Sequence, residues 1–194
     1  MTRKPIYIHN PKTGTTSVRT SLPLINTPHG RTIHLPIHHK KVLELLDAYQ
    51  RAFVFMTVRH PLERAVSCFS FWQLNRKRAV PENYVLQSVC QGLTCSEFYE
   101  AIDLNLMARV VPHFATQWSF IEQNPSRVNR IVRLETLHHE WPGLLAEFGA
   151  DANDYPLQHK MKSKHRGWEA ELSDEATEKL RDFYAADFRK FGYD

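Results

Sequence analysis

Pro5-Ile-Tyr-Ile-His-Asn-Pro-Lys-Thr-Gly-Thr-Thr-Ser-Val-Arg-Thr20 decides how this chain is read. Ile6 to Ile8 is a short apolar run of strand character, and Asn10-Pro11 breaks it. A basic, hydroxyl-rich turn around Gly14 follows, and then Thr15 to Leu22 is able to form a short helix that Pro23 stops. A strand feeding a glycine-containing turn and then a helix start makes an anion cradle. Backbone N–H groups point into the turn, and the helix dipole favours negative charge there. Lys12 adds a mobile full charge, and Thr13, Thr15, Thr16 and Ser17 add hydroxyl donors. The stretch is therefore expected to hold a phosphate-bearing ligand. The plain alternative is a strand–turn–helix junction with incidental polar residues. A Lys, a Gly and four hydroxyls in residues 12–17 exceed what a turn requires. A Walker A loop needs two glycines with four residues between them and then Lys-Ser/Thr, whereas here one Gly follows the Lys. That disfavours a standard nucleotide triphosphatase.

Outward from this stretch, residues 23–33 carry Pro23, Pro28 and Gly30 and read as a loop. Val42, Leu45, Leu46 and Tyr49 recur at helical spacing within residues 39–50. Phe53 to Val58 is an apolar, β-branched and aromatic run that suits a buried parallel strand. Arg59-His60-Pro61 ends it, and a helix begins with Pro61 in its first turn and Ala65, Val66, Phe69 and either Trp72 or Gln73 on its buried face. Thr94-Cys-Ser-Glu97 has capping-box form ahead of Phe98, Ile102 and Leu106. His113 to Ile121 suggests a short helix, Asn129 to Glu135 a third strand, and Leu137 to Phe148 a helix stopped by Gly149. Residues 149–170 read as a loop. Ser173 caps a last helix whose apolar face is Leu180, Phe183, Tyr184, Phe188 and Phe191. Three strands, each followed by helix, imply an α/β fold: a parallel β-sheet flanked by helices, in a single compact domain over residues 1–194. Ligands of such sheets bind beyond the carboxyl ends of the strands. Lys12 and Arg59 both follow a strand, so they share one crevice if those strands are neighbours.

The rest of the composition narrows the function classes. A net charge of +4, from 25 Lys and Arg against 21 Asp and Glu, fits a small anionic ligand better than a nucleic-acid track. Three cysteines without metal-type spacing, Cys68, Cys90 and Cys95, argue against a disulfide framework and against zinc. No apolar stretch reaches signal-peptide or membrane-span length, so the expectation is a soluble, cytoplasmic chain with no membrane partner.

Three further constellations carry chemistry. Arg59 offers a planar donor fork suited to phosphate, and Ser67, two turns into the next helix, has the spacing to reach the same group. The alternative is a solvated Arg beside Pro61 and a Ser kept small for packing. His34, in Thr-Ile-His-Leu-Pro, lies on a loop between the two anion sites and suits a general base on an acceptor hydroxyl, with His38 and His39 next in line. The basic run Lys160 to Gly167, with Lys164, Arg166 and Gly167 at its end, is either a solvated surface or a flap over a phosphate.

Pro11-Lys-Thr-Gly-Thr-Thr16 resembles the 5′-phosphosulfate-binding loop of sulfotransferases. Arg59 and Ser67, eight apart around Arg-x-Pro, resemble that family's 3′-phosphate motif. Thr32-Ile-His34-Leu-Pro is similar to the segment carrying the catalytic His of cytosolic members, with Ile33 inserted between Thr and His. Lys164-His-Arg166-Gly167 is similar to the family's loop on the 3′-phosphate, although the order differs. Val132-Arg-Leu-Glu135 and the ending Asp187-Phe-Arg-Lys-Phe-Gly-Tyr193 resemble the carbohydrate branch. The resemblance implies a P-loop-containing, Rossmann-like fold and 3′-phosphoadenosine 5′-phosphosulfate as donor. It implies transfer of a sulfuryl group to a hydroxyl of a saccharide or small metabolite, with no metal. Pro11, Lys12, Thr13, Gly14, Thr15, Thr16 and Ser17 would then hold the 5′ end. Arg59, Ser67, Lys164, Arg166 and Gly167 would hold the 3′-phosphate. Lys12 would stabilise the leaving group and His34 would take the acceptor proton. A P-loop nucleotide kinase or other phosphotransferase, and a non-catalytic relative that binds a nucleotide or glycan, stay open at this point.

Overall fold

The computed structural model describes residues 3–22, 31–33, 40–74, 81–158 and 166–194. The strands β1 (Pro5–Ile8), β2 (Arg31–Ile33), β3 (Phe53–Val58) and β4 (Arg130–Arg133) form one parallel sheet in the order β2-β1-β3-β4. Three of these coincide with the expected strands. β2 is additional: Arg31–Ile33 was expected in a loop, and three residues are too few to show a two-residue period. Its register with β1 (Ile6↔Arg31, Ile8↔Ile33) extends the sheet on that side.

The sheet order reverses at its centre. From β1 the chain moves outward to β2 on one side and returns to β3 on the other. The carboxyl ends of β1 and β3 therefore flank a topological switch point, the place where parallel sheets of this kind open a crevice.

The chain divides into two compact units, Met1–Arg59 with Gln117–Lys162, and His60–Thr116 with Ser163–Asp194. The first contains the sheet, α1 (Thr15–Ser21), α2 (Lys40–Ala48) and α7 (Leu137–Glu147). On one face of the sheet Tyr7, Phe53, Phe55 and Val132 pack with Val18 of α1 and Leu137, Trp141, Leu144 and Leu145 of α7. The alternate set, Ile6, Ile8, Val54, Met56 and Val58, is buried as well. Both faces are covered, which is why β3 shows no polar–apolar alternation and has Thr57 as its one polar residue.

The second unit is helical: α3 (Pro61–Leu74), α4 (Pro81–Gln91), α5 (Cys95–Ala101), α6 (Leu104–Val110), α8 (Trp168–Glu171), α9 (Asp174–Phe183) and α10 (Ala185–Phe191). The capping box forms as expected: Glu97 N–H donates to Thr94 Oγ1 at 3.3 Å, and Glu97 Oε2 accepts from Thr94 N–H at 2.7 Å. The apolar stripe Phe98, Ile102, Leu106 does not run through one helix. Asp103 caps a new one by accepting from Leu106 N–H at 3.0 Å, which leaves Leu106 exposed. The helix expected over His113–Ile121 is instead turns and a 3-10 segment at Trp118–Phe120. The last helix breaks at Tyr184, whose hydroxyl donates to the Phe114 carbonyl at 3.0 Å.

Cys68, Cys90 and Cys95 lie in the core of this second unit. Burial pushes the Cys90 thiol up to about 12 and raises Cys95 as well, so both pack as neutral, small apolar groups. Among the described residues no helix is long and apolar enough to cross a membrane.

Candidate functional site

The loop leaving β1 has two residues in the left-handed region, Lys12 at φ 67° and Gly14 at φ 80°. For Gly14 the cost of a side chain would be double: the torsional cost of a positive φ, and a shift of Leu134, whose Cδ1 would lie 2.5 Å from a Cβ there. Lys12 has no such freedom, and a left-handed L-residue costs about 1–2 kcal/mol. Backbone strain of this kind persists only where the surroundings impose it, and it concentrates at ligand clamps. Gly14 then caps α1, with Val18 N–H donating to its carbonyl at 3.1 Å.

The hydroxyls of this loop divide into two groups. Thr13 and Thr15 were expected to face a phosphate, but both side chains turn inward. Each donates to the Asn10 carbonyl, at 2.8 and 3.0 Å. Thr13 Oγ1 also lies 3.0 Å from Thr57 Oγ1, and Tyr7 Oη lies 2.6 Å from Thr57 Oγ1 and 3.1 Å from Thr15 Oγ1. With both threonine protons committed to Asn10, Tyr7 donates to Thr57 or to Thr15, and in either order its hydroxyl keeps its proton. This buried chain fixes the loop from beneath and requires Tyr7 to be neutral. Burial does raise its pKa, against the lowering effect of the hydroxyls around it. The loop can thus offer a ligand its backbone N–H groups together with Thr16, which is exposed, and the half-buried Lys12 and Ser17.

Arg59 follows β3 immediately, and β3 lies beside β1 in parallel register (Ile8↔Met56), so the loop and Arg59 leave the same edge of the sheet. The neighbouring strands on which a shared crevice for Lys12 and Arg59 depends are therefore present within the first unit. Gln117, wholly buried, links the two. Its Nε2 donates to the Arg59 carbonyl at 2.8 Å, and its Oε1 accepts from Arg59 N–H and from Asn10 Nδ2, each at 3.0 Å. The second Asn10 Nδ2 proton goes to the Thr57 carbonyl at 3.0 Å. Both protons of that amide face acceptors, which sets its orientation and leaves the buried Asn10 Oδ1 with no hydrogen-bond partner.

In the second unit Ser67 is buried on α3, one turn beyond Glu63 on the same helix face. Gly167, at φ 105°, lies over this face: a Cβ on it would stand 3.6 Å from Glu63 Oε1, and Trp168 N–H donates to that oxygen at 3.1 Å. Trp168 also stacks on His60, with ring centroids 5.9 Å apart and planes at 14°. The carboxyl end of the basic run is thus anchored to the start of α3, with Arg166 exposed beside it. Gln158, which precedes the run, belongs to the first unit, where its N–H donates to Ser21 Oγ at 2.7 Å. Arg64, one residue after Glu63, is wholly buried. It donates to the His113 carbonyl at 3.1 Å and lies over the Tyr184 ring, and it is a packing residue rather than a ligand.

His34, His38, His39 and Lys164 lie outside the described residues. Among the described ones, no cluster of three His, Cys, Asp or Glu side chains is arranged to hold a metal ion. A cavity of about 660 Å³ in the second unit, lined in part by Gln73, Thr94, Glu97 and Ser173, contains none of the expected site residues. Tyr7, Thr57 and Gln117 were not singled out from the sequence. Tyr7 and Thr57 are polar interruptions of apolar strands, a signal that was there to be read. Gln117 is 58 residues from Arg59 and had no local signal.

A family model described as the sulfotransferase family matches residues 3–194. No curated protein matches the sequence. Among solved structures, the crystal structure of mouse sulfotransferase SULT7A1 complexed with PAP is similar, with a TM-score of 0.59 and 13% identity. The match covers 96% of this chain and 85% of that one, and at this identity it is a likeness of fold.

Proposed function

The chain belongs to the sulfotransferase family, and on that premise we propose that it transfers a sulfuryl group from 3′-phosphoadenosine 5′-phosphosulfate to an acceptor hydroxyl on a saccharide or small metabolite. The observation that carries the proposal is the pairing of the 10–17 loop with Arg59 at the carboxyl ends of the neighbouring strands β1 and β3. One anion subsite would suit any phosphate ester. Two cationic elements at one switch point suit a nucleotide phosphorylated at both ends. The PAP in the similar mouse enzyme is a ligand of that kind.

In this reading the backbone of residues 12–16, with Thr16 and Ser17, holds the 5′-phosphate. Arg59 and Ser67, with Lys164, Arg166 and Gly167 from the basic run, hold the 3′-phosphate. Transfer breaks the bond from sulfur to the bridging phosphate oxygen and forms one from sulfur to the acceptor oxygen. A loose transition state of this type needs alignment and charge stabilisation more than covalent help. Lys12 neutralises the charge that grows on the bridging oxygen, and His34 removes the acceptor proton. A sulfuryl group carries less charge than a γ-phosphoryl, so the reading calls for no metal. The carbohydrate-like segments Val132–Glu135 and Asp187–Tyr193 favour a saccharide acceptor.

The test is turnover. Protein incubated with the donor and a panel of saccharide and small-metabolite acceptors is expected to release adenosine 3′,5′-bisphosphate in an acceptor-dependent way. Binding of the bisphosphate, with none released from the donor in the presence of any acceptor, would leave a nucleotide-binding relative instead.

A further inference from the structure

Arg59 stands where the sheet's own hydrogen bonding stops. β3 ends at Val58, whose carbonyl accepts from Leu134 N–H at 2.7 Å. Beyond it both main-chain polar groups of Arg59 are taken by one side chain, Gln117, at 2.8 and 3.0 Å. A primary amide has the same donor and acceptor as a peptide group, so Gln117 acts as a one-residue strand partner that prolongs the ladder past its end. The direction of an Arg side chain follows from its Cα–Cβ vector, and here that vector is set by two hydrogen bonds from a single buried group. Gln117 is itself wholly buried, so its influence on a ligand runs through what it holds.

Resting on the donor reading above, we propose that Gln117 is the positioning residue for Arg59. The preference for a 3′-phosphorylated nucleotide then depends on Gln117 through the Arg59 main chain. An ordinary buried Gln that only fills space would alter stability and leave ligand preference alone. The two roles therefore part on a ratio of affinities.

The experiment measures Kd for adenosine 3′,5′-bisphosphate and for adenosine 5′-phosphate on the full chain, in wild type, Arg59→Ala, Gln117→Glu and Gln117→Leu. Gln117→Glu keeps an acceptor for Asn10 Nδ2 and Arg59 N–H. In its ionised form it loses only the donor to the Arg59 carbonyl, against which it sets a second oxygen, so the constants are compared above the pH at which this buried carboxyl takes up a proton. The preference for the bisphosphate is expected to fall about tenfold, the effect of one misplaced charge-assisted hydrogen bond, with the 5′-phosphate constant held within about twofold. Gln117→Leu removes all three bonds, so both constants weaken and the preference falls as well. Should Gln117→Glu fail to fold, Gln117→Leu, which buries no charge, carries the test. Folded variants with the wild-type ratio, beside an Arg59→Ala protein that has lost it, would overturn the role of Gln117 and leave the donor reading standing. Wild-type protein with no preference for the bisphosphate would overturn the donor reading itself, and the assignment with it.

Discussion

Lys12 combines two demands in one residue. In the proposed reaction its ammonium supplies the charge for the leaving group, and its backbone adopts a left-handed φ of 67° that only glycine takes without cost. The two demands separate experimentally. Lys12→Ala is expected to lower kcat by about 10²–10³, the loss typical of a charge-assisted transition-state contact, with a smaller change in donor KM. Lys12→Gly loses the same charge but relieves the torsion. It should therefore be equally inactive and more stable than Lys12→Ala by about 1 kcal/mol in urea unfolding. His34→Ala is expected to cost about 10²–10⁴ in kcat, the range for a general base; wild-type turnover would move that role to His38 or His39. At this scale the sequence showed residue types and spacing but not direction. Nothing in Thr13 or Thr15 reveals that their hydroxyls face the Asn10 carbonyl rather than a ligand, because that choice is made by Tyr7 and Thr57 on two strands.

At the scale of elements, the junction of β1 with α1 depends on Gly14. A Gly14→Ala chain meets the torsional cost of φ 80° and a Cβ 2.5 Å from Leu134 Cδ1. Destabilisation of about 1–3 kcal/mol is expected in chemical denaturation. Adding Leu134→Ala should recover the steric part and not the torsional part, so the double mutant regains stability relative to the sum of the single changes. The elements most legible in the sequence were those with an internal period or cap: β3 as an apolar run, α5 with Thr94 and Glu97, and the helix capped by Ser173. The less legible ones depended on partners. β2 is three residues paired to β1, and the helix breaks at Asp103 and Tyr184 are set by a side-chain cap and by a hydroxyl bonded to Phe114.

For the whole molecule, strand–turn–helix alternation was enough to call a parallel sheet, but not to order its strands. That β1 and β3 are neighbours, and that a residue near position 117 clamps the end of β3, are facts of long-range packing with no local trace. Yet the strand order is what brings two separate basic motifs to the same end of neighbouring strands, as the proposed donor site requires. The most direct test is thermal unfolding with adenosine 3′,5′-bisphosphate, with ATP plus magnesium, and in buffer alone. At about a hundred times Kd the bisphosphate should raise the midpoint by roughly 5–10 °C, with no comparable gain from ATP and magnesium. A gain from ATP and magnesium alone, or from neither nucleotide, would contradict a bipartite site for a doubly phosphorylated donor.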